Sequence, residues 1–256
     1  MAESLNDQRI KAVSALLATA ATIVFNALAA TGYINGRTPA EISDKYPTVI
    51  TPSGYAFSIW SLIYFGLLAF SIYQLLPTNL ERFGGVRTLY IASCVLNCLW
   101  IYSWHHDWIG ICVFLIFGLA ILTVVIATKF KNTVTTAETF IVRGTFGIYA
   151  GWVTVASFVN LLVYFRSVGS SMASSNLVAV VIVAIATVAA IFAARFAANH
   201  FYPLAVAWAL TAIAVKQSGN TAVVLACAVG VIVSLLMTVS FVLKLPSATV
   251  NFRENE

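Results

Sequence analysis

Three groups of aromatic residues recur at helical spacing, and two of them carry an amide. Phe57, Trp60 and Tyr64 follow one another at steps of three and four, with Tyr55 just before them. Asn97, Trp100, Trp104 and Trp108 stand at steps of three, four and four. Tyr149, Trp152, Ala156 and Asn160 repeat that spacing. Such steps place side chains on one face of a helix. Stacked rings suit a flat apolar ligand, and an amide can orient that ligand or tie helices together. The same pattern also serves ordinary helix packing, with Trp104 and Trp108, near a helix end, as interface residues. An amide in hydrocarbon is costly without a partner, so Asn97 and Asn160 require one.

Other chemistry is not apparent. The chain has no Ser-His-Asp set, no paired carboxylates and no Gly-rich phosphate loop. Hence no catalytic residue, metal or cofactor is expected. No Asp, Glu or Lys lies deep in an apolar segment, and Arg143 comes nearest. His105-His106-Asp107 reads as a tight turn, because adjacent histidines point apart. Asp107 is placed to cap the helix that follows. Cys94, Cys98, Cys112 and Cys227 all fall in apolar segments and read as inert thiols.

The elements that hold these residues are long and apolar. Of 256 residues, 61% are hydrophobic and 9% charged, too few charges to coat a soluble globule. Charge-free intervals run over 12–36, 46–80, 88–106, 108–128, 144–165, 167–194, 196–215 and 217–243. Each approaches or exceeds the roughly 20 residues that span a bilayer core. The reading is an all-α, polytopic membrane bundle of about eight transmembrane helices. They are expected near 13–31, 54–76, 88–104, 109–128, 139–164, 177–197, 201–216 and 221–242. The first is read as retained, being long for a signal segment. Residues 32–53 form a long polar loop carrying Pro39, Pro47 and Pro52.

The net charge of +5 does not point to nucleic acid, since the basic residues are spread singly between helices. They set orientation instead. One side of the membrane would hold Lys and Arg at 9, 11, 82, 87, 129, 131, 143, 195, 244 and 253; the other holds 37, 45, 166 and 216. The positive-inside rule then puts both termini in the cytoplasm. The composition shifts at the Ser/Gly-rich linker 167–176. Five of the six Trp and nine of the ten Tyr precede residue 165. Residues 1–165 are therefore expected to carry the ligand site, with 166–256 as an accessory three-helix extension. Trp152 is expected to matter more for binding than Trp208. Gly147 and Gly151 permit close backbone approach, to a neighbouring helix or to a second subunit.

At these residues the chain resembles the tryptophan-rich sensory protein family, also called TspO or translocator protein. In the stretch Thr51–Tyr64, Phe57, Trp60 and Tyr64 match the family's second-helix motif, and Tyr55 replaces its first Trp. Asn97 and Trp100 match the third helix. Tyr149, Trp152, Val153, Ala156 and Asn160 match the fifth. The resemblance covers about 13–165. The family's first-loop Trp and double Pro are absent, and three further helices follow.

The resemblance implies a five-helix core around a pocket for porphyrins, and in some members sterols, with a tendency to form a homodimer. It implies ligand contacts from Tyr55, Phe57, Trp60, Tyr64, Asn97, Trp100, Trp104, Tyr149, Trp152 and Asn160. The function expected is a membrane binding or sensory protein for a porphyrin or sterol. A transporter of such ligands ranks second, and a porphyrin-degrading enzyme third. Leu162–Arg166 also fits the loose cholesterol-contact pattern, for which chance is the better explanation because aromatic-then-basic helix ends are common.

Overall fold

The computed structural model describes residues 5–132 and 135–243. Among these the chain is helical: α1 (Leu5–Ala30), α2 (Pro39–Lys45), α3 (Ile59–Tyr73), α4 (Arg87–His105), α5 (Ile109–Thr128), the single turn α6 (Thr136–Glu138), α7 (Thr145–Ser167), α8 (Asn176–Phe196), α9 (Tyr202–Lys216) and α10 (Thr221–Val242). Seven helical stretches are long and apolar enough to cross a membrane. The eighth expected span forms at its expected place as α9, but with only 15 residues. At 1.5 Å per residue it is about 22 Å long, short of a 30 Å core. Its ends nevertheless lie at opposite faces of the bundle. Asn199, just before it, donates to the Arg143 carbonyl at 2.8 Å, and Gln217, just after it, donates to the Thr48 and Thr51 carbonyls. Because α9 is buried along Ala205, Val206, Ala209, Leu210 and Ile213, protein rather than lipid makes up the missing length.

The two faces are fixed by cross-contacts. On one, Arg87 reaches Gln8, Arg82 reaches Glu138, and Lys131 lies over Phe196. On the other, Lys45 meets Asp107, Lys216 meets Asp44, and the Val49 amide donates to the Ala173 carbonyl. This grouping matches the expected alternation of loops.

The bundle is organised around α7, which is buried along most of its length, from Phe146 to Val163. Two glycines allow α9 to lie against it. A Cβ at Gly151 would overlap the Tyr202 carbonyl oxygen and sit 3.0 Å from the Ala205 Cβ. One at Gly147 would overlap the Asn199 side chain. The Gly147–Gly151 pair is thus used within the chain.

On α1, Ala12, Ala15, Thr19, Thr22, Asn26 and Ala29 form a buried stripe at alternating steps of three and four. Small residues let it approach α3 and α4 closely. Thr19 Oγ1 lies 2.6 Å from Ser71 Oγ and 2.5 Å from the Tyr90 hydroxyl. Asn26 donates to Asn97 Oδ1 at 2.8 Å. Hydrogen bonds of this kind join helices that lipid would otherwise solvate equally well.

The first loop is more ordered than its three prolines suggest. Thr38-Pro39-Ala40-Glu41 is a capping box with Pro at the first helical turn, and it starts α2. The helix expected over 139–164 begins with a π-helical stretch, Thr139–Gly144, before the regular α7.

Candidate functional site

The arms of α1 and α3 are tied together at the Thr19–Ser71 end and part toward the first loop. Between them lies a cavity of about 680 Å³. Its walls include Ile23 and Asn26 from α1 and Trp60, Tyr64 and Leu68 from α3. Phe57, on the 3-10 turn Gly54–Ser58, and Thr38-Pro39-Ala40 roof it. The roof is held down by the Trp104 indole, which donates to the Pro39 carbonyl at 3.1 Å, and by His105, whose ring nitrogen lies 3.1 Å from the Arg37 carbonyl oxygen. Toward the flank the lining residues Phe65 and Leu68 are exposed, at 73% and 37%. Both lie within an apolar stretch able to cross the membrane, so the mouth faces lipid.

Behind this wall Trp60 is the hub of a ring cluster. It stacks on Tyr64 at 5.5 Å and on Trp100 at 5.9 Å, and takes edge contacts from Tyr149 and Trp152. Trp100 stacks in turn on Trp104 at 5.8 Å. The indoles of Trp60, Trp100 and Trp152 therefore converge. The space between them is filled by their own rings, and the large cavity lies on the α1 side of Trp60.

The ten residues singled out from the sequence fall into four positions. Phe57, Trp60 and Tyr64 line the large cavity. Trp104, Trp152 and Asn160, again with Phe57, line a second, small space of about 30 Å³ against Ala209 and Ile213 of α9. Asn97, Trp100 and Tyr149 form the layer behind. Tyr55 stands apart, half-exposed, with its ring 5.3 Å from that of Trp208.

Both amides find partners between helices. Asn97 accepts from Asn26 and donates to the Tyr149 hydroxyl, while Asn160 accepts from the Trp100 indole at 3.1 Å. Among the described residues, the Tyr64 hydroxyl and the Trp152 indole N–H are buried without a hydrogen-bond partner.

Several expectations are corrected. Trp104 is 2% exposed and belongs to the interior, whereas Trp108, at 49%, stays at the boundary. Asp107 does not cap α5, whose first turn has no side-chain cap. Its carboxylate meets Lys45 Nζ at 2.5 Å and the Tyr46 hydroxyl at 3.0 Å, since a full positive charge outcompetes a helix amide. The Leu162–Arg166 pattern makes no single surface, because Leu162 is fully buried while Tyr164 and Arg166 are exposed.

The spacing of aromatics gave no sign of two contributors. One is α1, whose small-and-polar stripe supplies Asn26. The other is Trp208, which donates to the Ala56 carbonyl at 3.1 Å and so props the turn carrying Phe57.

A family whose members are described as TSPO-like protein matches residues 12–241. The chain belongs to this family. It is an integral, multi-pass membrane protein of the TspO type. The match runs through α8 and α9 and nearly to the end of α10, so the helices that the resemblance left as additions fall inside it. Neither a search of curated proteins nor one of solved structures returned a match.

The roof of the cavity carries its own charge pair. Burial raises the Asp107 carboxyl, but bonds from Lys45 and Tyr46 outweigh it and hold the group below its ordinary value. Lys45 is held above its ordinary value, chiefly by the Asp107 bond. The Asp107 contribution is present above the unfolded pKa and lost as pH falls through the lowered folded one. That of Lys45 is present below its unfolded pKa and lost only as pH rises through the raised folded one. Amide hydrogen exchange across 32–53, taken relative to its intrinsic rate at each pH, is therefore expected to quicken below about pH 4. Asp107→Asn should quicken it at neutral pH, and unchanged exchange in that variant would show the pair to be idle.

Proposed function

We propose that this protein binds a flat hydrophobic ligand, a tetrapyrrole or a sterol, in the cavity between α1 and α3, as a membrane binding or sensory protein. The observation that carries this reading is the apolar cavity of about 680 Å³ walled by Phe57, Trp60 and Tyr64, within the size range of small-molecule sites. In this reading a ring system stacks on Trp60. The Tyr64 hydroxyl offers a donor, and Trp100, Tyr149 and Asn97 form the layer behind Trp60. Trp152, Trp104 and Asn160 act through Phe57, which borders both spaces.

Binding is favoured over transport because Thr38-Pro39-Ala40, held by the Trp104 and His105 bonds, roof the cavity at the first-loop end. Catalysis is disfavoured because the nearest amides, Asn26, Asn97 and Asn160, are bonded to neighbouring side chains. We place both termini in the cytoplasm, on the side richer in Lys and Arg. A homodimer would use a face other than Gly147–Gly151, which α9 already covers.

Titration of the purified protein with protoporphyrin tests this. Saturable quenching of Trp fluorescence at one ligand per chain is expected. A linear, unsaturable response would refute the reading. Directional uptake into proteoliposomes would replace it with transport.

A further inference from the structure

A further cavity, of about 360 Å³, lies at the opposite end of the bundle from the first loop. It sits between the segment joining α3 to α4 and the one leaving α5. Arg82, Lys129, Asn132 and the carboxylate of Glu138 line it together with Phe83, Val86 and Phe130. Phe83 and Phe130 are almost fully buried and give it an apolar floor. Arg82 is held by Glu138, which accepts from its Nε at 2.9 Å and its Nη2 at 2.7 Å. That pair fixes the guanidinium and leaves Nη1 outside it. Lys129, the residue after α5, is exposed.

The setting is cationic. Among the described residues, this face holds Arg9, Lys11, Arg82, Arg87, Lys129, Lys131, Arg143 and Arg195 against Asp7, Glu81 and Glu138, eight against three. The other face holds Arg37, Lys45, Arg166 and Lys216 against Glu41, Asp44 and Asp107, four against three.

We propose that this cavity is a headgroup site for an anionic phospholipid. The phosphate would sit between Lys129 and the outer edge of Arg82, and the glycerol end would rest on Phe83 and Phe130. Three features support that occupant over a soluble anion. The cavity lies directly at the ends of the membrane-crossing α4 and α5. Its floor is aromatic, and its volume leaves room for more than a phosphate. A basic pocket between transmembrane helices is suited to such headgroups. This inference is independent of what the α1–α3 cavity binds.

The test uses the full chain in mild detergent with three probes: a short-chain phosphatidylglycerol, the matching phosphatidylcholine, and glycerol phosphate without acyl chains. Native mass spectrometry reads the fraction of protein retaining each. The wild type should retain phosphatidylglycerol well above phosphatidylcholine. Lys129→Gln should lower that retention about five-fold, the effect of one lysine near a membrane surface. Lys216→Gln, on the opposite face, should leave it unchanged. Lys129 is exposed and the Lys216–Asp44 pair is a solvated surface pair worth little stability, so thermal melting of each variant should stay close to the wild-type value. Equal retention of the two lipids, or equal loss in both variants, would overturn the proposal. Glycerol phosphate binding as tightly as the lipid would overturn it in favour of a soluble anion.

Discussion

Trp60→Ala is expected to weaken protoporphyrin binding about thirty-fold, while Trp100→Ala stays within a few-fold of wild type. Trp60 is the indole that both lines the α1–α3 cavity and anchors the ring cluster. Stacking a large ring on it is worth about 0.5–1.5 kcal/mol beyond buried area. The apolar area that truncation takes away from the ligand adds about 25 cal/mol per Å². A total near 2 kcal/mol corresponds to the thirty-fold change. Trp100 is the fitting control, because it stacks on Trp60 from behind and is just as buried, yet does not line the cavity. Its removal costs comparable packing without touching the ligand. Dissociation constants that shift equally in the two variants, in preparations of equal stability, would move the ligand out of the α1–α3 cavity.

Gly151→Val should destabilise the bundle by about 3 kcal/mol, at the upper end of the cost of overpacking a core. The added carbons collide with the Tyr202 backbone and Ala205, neither of which is a flexible side-chain tip. Relief requires α9 to move off α7, which would also disturb Asn199 and its bond to the Arg143 carbonyl. Gly118→Val is the matched control. A Cβ there meets only the Leu96 Cδ1, at 3.9 Å, so the substitution has room. Thermal unfolding in detergent should separate the two clearly. Equal midpoints would show that α7 and α9 are not closely packed in solution.

The helices were legible because charge is forbidden in hydrocarbon. The interval between Asp107 and Lys129 delimits α5 closely, whereas α1 begins at Leu5, about two turns ahead of the interval that opens after Lys11. The aromatic stripes were legible for the same local reason, since spacing alone fixes the face of a helix. What that face meets is a property of the neighbour. Trp60 and Trp100 were expected to share a cavity, but they stack on one another, and the open space lies on the other side of Trp60. The facing wall comes from α1, where Ile23, Asn26, Ala27 and Ala30 line the cavity, and the buried stripe that holds α1 in place carries a signal of small size that a search for aromatic rings passes over.

The α2 roof had a readable mark, Thr38 and Glu41 three residues apart, obscured by the surrounding prolines. Trp208 had none. Its bond to Ala56 joins residues 152 apart in the chain. A packing partner at that separation leaves no periodicity in the sequence.

Phe65 and Leu68 line the cavity and are exposed on its lipid-facing flank. A ligand seated there exchanges with molecules already dissolved in the bilayer, and its governing concentration is the one per volume of lipid. A compound enriched about a hundred-fold in lipid would half-saturate the protein at about a hundredth of the aqueous concentration otherwise needed, equivalent to about 2.7 kcal/mol of apparent affinity that no side chain supplies. Adding empty vesicles would dilute that compound and raise its apparent dissociation constant without touching the protein. Ranking ligands by this pocket's own preference therefore requires dividing each measured affinity by its partition coefficient.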